Sequence, residues 1–157
     1  MAIDASTEPL PSHAYVPGIN QRHKEEFLDH IKAAAPTETL DSNSADNQAW
    51  IYGLRLIRHD YFWEAHEILE TVWMRSLPNS RERHLVQGVI HLANAALKQM
   101  MGRPEAAERL FNLAEDCILE AFNGLAGTRL MGLDPTELQA TITKRSASDL
   151  KTEFSAI

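Results

Sequence analysis

Residues 80–101 run without a proline and stop at Gly102-Arg103-Pro104, and this stretch constrains the fold more than any other part of the chain. At about 100° per residue around a helix, Leu85, Val86, Val89, Ile90, Leu92, Ala93, Ala96, Leu97 and Met100 cover most of the circumference. A helix that is apolar on most sides has to be packed on most sides. The segment therefore predicts the central helix of a bundle, opened by Ser80 and closed at Gly102, where a left-handed C-terminal cap favours glycine. His84, Gln87, His91, Asn94 and Lys98 share the remaining strip, roughly 80° wide. Two His, a Gln and an Asn on one strip differ from a solvated face, which usually carries Glu, Lys and Arg, and Gly88 and Ala95 beside it leave room for close approach.

Breakers and capping residues divide the rest of the chain. Asp46 is the expected cap of a helix to Arg58, with Trp50, Leu54 and Ile57 at helical intervals, and Asp60 that of a helix from Tyr61 to about Ser76. Pro104 begins a fourth at its favoured first-turn position, with Ala107, Leu110, Ala114, Cys117 and Ala121 as its apolar stripe. Asp134-Pro135-Thr136-Glu137 is a capping box for a last short helix. A short helix is also expected from Asn20 to Ala35, before a polar linker over residues 36–46. Residues 1–18 hold Pro9, Pro11, Pro17 and Gly18 and read as an extended arm that packs on its own chain by default or is swapped onto a partner. No alternating strand pattern and no internal repeat occur. The prediction is all-α: an up-and-down helical bundle of four to six helices, with an extended proline-rich arm over residues 1–18 and a single helical domain over 19–157.

The chain has 157 residues, of which 44% are hydrophobic and 24% charged, enough for one buried core. A net charge of -7 repels a phosphate backbone, so nucleic acid is a poor partner. The lone Cys117 can form neither an internal disulfide nor a multi-cysteine metal site, and a small core thiol is expected. The first residues lack the pattern of a secretory leader, and no run approaches 18 apolar residues, so a soluble, cytoplasmic protein without membrane contact is expected.

On the helix expected from Tyr61, the residues Phe62, Ala65, Leu69 and Val72 centre the buried face, with His66 and Trp73 beside it. Glu70 stands one turn from His66, so its carboxylate can orient the imidazole or share a metal with it. Glu67 falls about 180° from the apolar centre, with Asp60, Glu64 and Thr71, where water is expected. Two readings follow. His66, Glu70, Gln87, His91 and Asn94 either form hydrogen bonds that only fix helix packing, or line a site for a small molecule or a divalent metal, with His66, Glu70 and His91 as metal ligands. The packing reading belongs to a structural or interaction module, in which the arm and an exposed apolar patch form a homo-oligomer. A third reading is a metal-dependent hydrolase with Glu67 as base, because His66-Glu67-Ile68-Leu69-Glu70 is superficially similar to the zinc-peptidase helix; that helix has a second histidine where Glu70 stands here. Nucleophile-elbow, phosphate-loop and dinucleotide-glycine signatures are absent. His13, His23 and His30 have no metal-ligand spacing and are expected at the surface. Trp50, Trp63 and Trp73 are expected as core or interface anchors.

The segment Tyr61-Phe62-Trp63-Glu64-Ala65-His66-Glu67-Ile68-Leu69-Glu70-Thr71-Val72-Trp73, followed by Leu85-Val86-Gln87-Gly88-Val89-Ile90 and by Gly102 with Ala107, resembles the helical family called domain of unknown function 309. The resemblance covers about residues 48–122 and implies an all-helical bundle without an established activity, substrate or cofactor. It marks Glu64, His66, Glu67, Glu70, Trp73, Gln87 and Gly88, adding Glu64 and Glu67 to the polar cluster. The family commonly has Gln where this chain has His91, which implies a hydrogen-bonded site rather than a metal site that depends on His91. The Pro-Ser-His-Ala-Tyr-Val-Pro-Gly arm is similar to a leader found in some bacterial members.

Overall fold

Proline and glycine punctuation sets the helix boundaries of the computed structural model, which describes residues 2–153, the last three as backbone. The elements are α1 (Asp29–Lys32), a 3-10 helix (Asp41–Asp46), α2 (Gln48–Arg58), α3 (Phe62–Met74), α4 (Arg81–Met100), α5 (Pro104–Phe122), α6 (Pro135–Lys144) and α7 (Ala147–Glu153). The described residues are all-α, with one isolated bridge between Leu130 and Leu133. Seven α-helices exceed the four to six expected because the chain resumes as α7 after Arg145 takes a left-handed conformation, φ 49°.

Sequential helices pack in antiparallel order. Gly53 of α2 meets Leu69 of α3, Arg83 near the start of α4 bonds Trp73 near the end of α3, and Arg81 of α4 donates to the carbonyls of Ala121 and Asn123 at the end of α5. As predicted, α4 is central: Leu85, Val86, Val89, Leu92, Ala93, Ala95 and Ala96 are fully buried. Ser80 accepts from Arg83 N, Gly102 is left-handed at φ 74°, and Asp134 accepts from Thr136 N and Glu137 N. Cys117 lies half-buried, its Cβ placed where a side chain at Gly88 would meet it, and burial pushes its thiol above the ordinary value.

Three expected boundaries shift. The cap of α2 is Asn47, whose side chain accepts from Trp50 N, rather than Asp46. Asp60 is left-handed at φ 68° and makes the corner between α2 and α3, so α3 starts at Phe62 with no side-chain cap. The helix expected over residues 20–35 shrinks to Asp29–Lys32. Asn20 closes a turn instead of capping: its side chain accepts from Val16 N and donates to Ala14 O. His23 and Phe27 then enter a ring stack with His13, at centroid distances of 4.2 and 4.0 Å. Tertiary contacts outweigh local helix propensity over this segment.

The leading residues are not uniformly extended. Asp4 accepts from the backbone and hydroxyl of Ser6 and caps a turn over residues 4–8. Ala5 and Val16 are buried against the helices. At the other end of the bundle, the Trp50 indole donates to Met131 O, while Met131 N donates to Asp41, fastening the loop before α6.

Gly88 is required by the closeness of α4 and α5, since a Cβ there would lie 2.7 Å from Cγ1 of Ile118 and 3.3 Å from Cβ of Cys117. Gly88→Ala is expected to cost about 1–3 kcal/mol from overpacking, although alanine favours a helix by about 1 kcal/mol elsewhere. Urea denaturation measures this, and adding Ile118→Val should recover part of the loss.

Candidate functional site

The connection between α3 and α4 fixes how their polar residues meet. The Arg83 guanidinium stacks 3.8 Å from the Trp73 ring centroid and donates to the carbonyls of Trp73 and Ser76 at the helix end. From that clamp the two antiparallel helices run with the same rise per residue. That equal rise sets Glu70 at about the level of Gln87, and His66 at about the level of His91, along an α3–α4 seam. Trp73 and Arg83 close one end of this seam, and Asn94, half-buried, continues it one turn beyond His91.

Each of the two helices carries one hydrogen-bonded pair. His66 Nε2 donates to Glu70 Oε1 at 2.8 Å, with the histidine mostly covered and the glutamate half-exposed. Gln87 Nε2 lies 3.2 Å from His91 Nε2. An amide nitrogen can only donate, so His91 accepts at Nε2 and carries its proton on Nδ1. In neutral His66 the proton is on Nε2, which leaves Nδ1 as an acceptor. Both Nδ1 atoms are sealed from solvent and have no partner. Burial pushes the His91 pKa below its ordinary value, which keeps the ring neutral.

Other candidates fall elsewhere. Among the described residues, no three His, Cys, Asp or Glu side chains come together to hold a metal ion, so His66, Glu70 and His91 do not assemble as the metal centre considered from sequence. Glu67 faces away from the seam and pairs with Lys32 at 3.4 Å, which separates the candidate base from the histidines. Beside it, Glu67 and Trp63 border a cleft of about 490 Å³ that Arg22, His23, Asp29 and Lys32 also line. Gly88 serves helix packing.

Glu64 overturns its expectation most fully. Helical stepping predicts water around it, yet it is completely buried. Its Oε2 accepts from Tyr15 N at 2.8 Å and from His23 Nε2 at 2.6 Å, while the buried Oε1 has no donor. Helical stepping correctly put Glu64 opposite the core, but residues 13–27 cover that face. His23 is likewise no surface residue: its side chain is 6% exposed. His30, by contrast, is exposed and bonds Glu8. His23 was missed because its partners lie far off in sequence. The resemblance did mark Glu64, and that was the available signal.

Nearby, Tyr15 meets Trp63 edge-on at 5.1 Å, and Phe27 lies parallel to the same indole at 6.4 Å. Along α2, burial pushes the Tyr52 hydroxyl up to about 12, so it remains a donor throughout the neutral range.

Comparison with known proteins bears on the seam directly. Residues 50–110 match the family described as a domain of unknown function, DUF309. The match includes most of α2, all of α3 and α4 and the start of α5, and therefore His66, Glu70, Gln87 and His91. It stops short of residues 111–122 and begins after the leading segment, so His23 and Tyr15 lie outside it. No curated protein and no solved structure matches the chain.

The two histidine–glutamate pairs should differ in stability. His23→Ala removes a buried partner of a buried carboxylate and is expected to cost about 3 kcal/mol. Loss of the partly exposed His66–Glu70 pair in Glu70→Gln should cost less than about 1 kcal/mol. Parallel urea titrations followed by circular dichroism would measure both.

Proposed function

We propose that the α3–α4 seam of the DUF309 segment binds a small neutral molecule that offers both a hydrogen-bond donor and an acceptor, such as a carboxamide. The observation that carries this reading is the pair of unpartnered buried ring nitrogens, His66 Nδ1, an acceptor when the ring is neutral, and His91 Nδ1, a donor opposite the Gln87 contact. A buried unpaired polar group costs about 1–3 kcal/mol, so a ligand that pairs both nitrogens is favoured. A group that donates to one helix and accepts from the other would satisfy both. Trp73 supplies an apolar wall, while Glu70 and Gln87 hold the two rings in the required tautomers. The proton on His91 Nδ1 disfavours a metal there, which needs a bare nitrogen.

Acetamide is a suitable probe. In protein with ¹⁵N-labelled histidine, acetamide should shift the Nδ1 resonances of His66 and His91 saturably, and His91→Phe should abolish the effect at His66. No shift up to about 100 mM, far above a millimolar Kd, would overturn the reading. So would a stoichiometric divalent metal in purified protein that disappears in His66→Ala, which would favour a metal site. Native mass spectrometry of the same samples reports retained molecules and any homo-oligomer.

His91 also gives a pH dependence. Because its pKa is lowered in the folded state, the unfolded chain binds more protons below pH about 6.5, and stability falls as pH drops through that value. The loss levels off below the depressed folded pKa. His91→Gln should remove this contribution, measured as the difference in urea midpoint between pH 7.5 and pH 5.5.

A further inference from the structure

The leading segment is held in an unusual way: side chains of the helical body read its backbone. Gln48, Tyr52 and Arg55 form one stripe along α2, and Tyr61 and Glu64 continue it onto the start of α3. Gln48 Oε1 accepts from Ala5 N, Arg55 donates to the carbonyls of Ala5 and Glu8, Tyr52 donates to Pro9 O at 2.7 Å, and Tyr61 donates to Pro11 O at 3.0 Å. Glu64 accepts from Tyr15 N. Proline cannot enter a helix interior or donate to a ladder, so the carbonyls around it need donors from elsewhere. Two tyrosine hydroxyls, two residues apart on the peptide they read, supply them.

We propose that this α2–α3 face is a receptor for a non-helical, proline-bearing peptide of a partner protein, and that residues 5–16 occupy it in cis as a displaceable internal ligand. Backbone hydrogen bonds give affinity in such recognition, and pockets for a few side chains give specificity. Ala5 and Val16 fill the pockets here, being 0% and 5% exposed. The fit in cis is incomplete, since Glu64 Oε1 is buried with no donor. A partner peptide with a short hydroxyl or amide side chain, such as serine or asparagine, at the Tyr15 position would supply one, which the Tyr15 hydroxyl does not. Of the receptor residues, Tyr52, Arg55, Tyr61 and Glu64 lie inside the DUF309 match, and Gln48 lies just outside it, as does the occupying segment. The proposal is independent of the α3–α4 seam, whose residues it does not use.

The test uses the full chain with the cis segment released by Ala5→Glu and Val16→Asp, substitutions that leave the receptor face intact. A fluorescent synthetic peptide of residues 2–18 is titrated in and followed by anisotropy, with a scrambled peptide as control. The peptide should bind the released chain saturably and the wild-type chain about tenfold more weakly, because its own segment competes. Adding Tyr52→Phe and Tyr61→Phe to the released chain should weaken binding about tenfold through loss of two hydrogen bonds. A released chain that has lost helix must regain it when peptide is added, read by circular dichroism. The proposal is overturned by absence of both binding and helix recovery, or by equal binding of the scrambled peptide. A wild-type dimer formed by exchanged segments, detected by light scattering and refusing free peptide, would likewise overturn it in favour of a second copy as occupant.

Discussion

A carboxylate without access to water joins the two parts of this chain. Glu64 stands on the face of α3 opposite the bundle core, where a charged side chain would ordinarily be solvated. Its burial requires the leading segment to lie over it and to deliver a backbone amide and an imidazole to the same oxygen. That requirement fixes the path of residues 13–27, draws His13, His23 and Phe27 into one stack, and leaves only a single turn of helix at α1. The segment also carries the carbonyls that Tyr52, Arg55 and Tyr61 bond. A buried charge is tolerated only with such partners.

The bundle itself was readable because it depends on local signals. Ser80, Gly102, Pro104 and Asp134 each act at their own helix end, and the apolar circumference of α4 follows from periodicity alone. The His66–Glu70 pair was readable for a similar reason, since the two residues are one turn apart, whereas spacing placed Gln87 and His91 on one strip without pairing them. Glu64 and His23 were not legible in this way, because 41 residues separate them and no periodic pattern links a loop histidine to a helical glutamate. Asp46 and Asp60 show a finer limit. Both are good capping residues, but Asn47 next door has the cap geometry, and Asp60 is spent on a left-handed corner.

The two faces of α3 are thus organised differently. Toward α4, His66 and Glu70 pair within the helix and leave one ring nitrogen over. Toward the leading segment, Glu64 and Glu67 reach outward to His23 and Lys32. One helix serves both faces because 3.6 residues per turn send positions 66 and 70 to one side and 64 and 67 to others. The metal-peptidase likeness of this stretch dissolves at that point, since its residues face different neighbours.

The three indoles have separate surroundings. Trp50 is buried and bonded to the loop before α6, Trp73 lies beneath a guanidinium at the turn between α3 and α4, and Trp63 is ringed by Tyr15 and Phe27 of the leading segment. The molecule therefore contains three intrinsic optical reporters, each at a different place where a loop or segment is fastened to the bundle. Detachment at any one place changes the environment of a different chromophore, so the order in which these fastenings open is written into the emission of the unmodified chain.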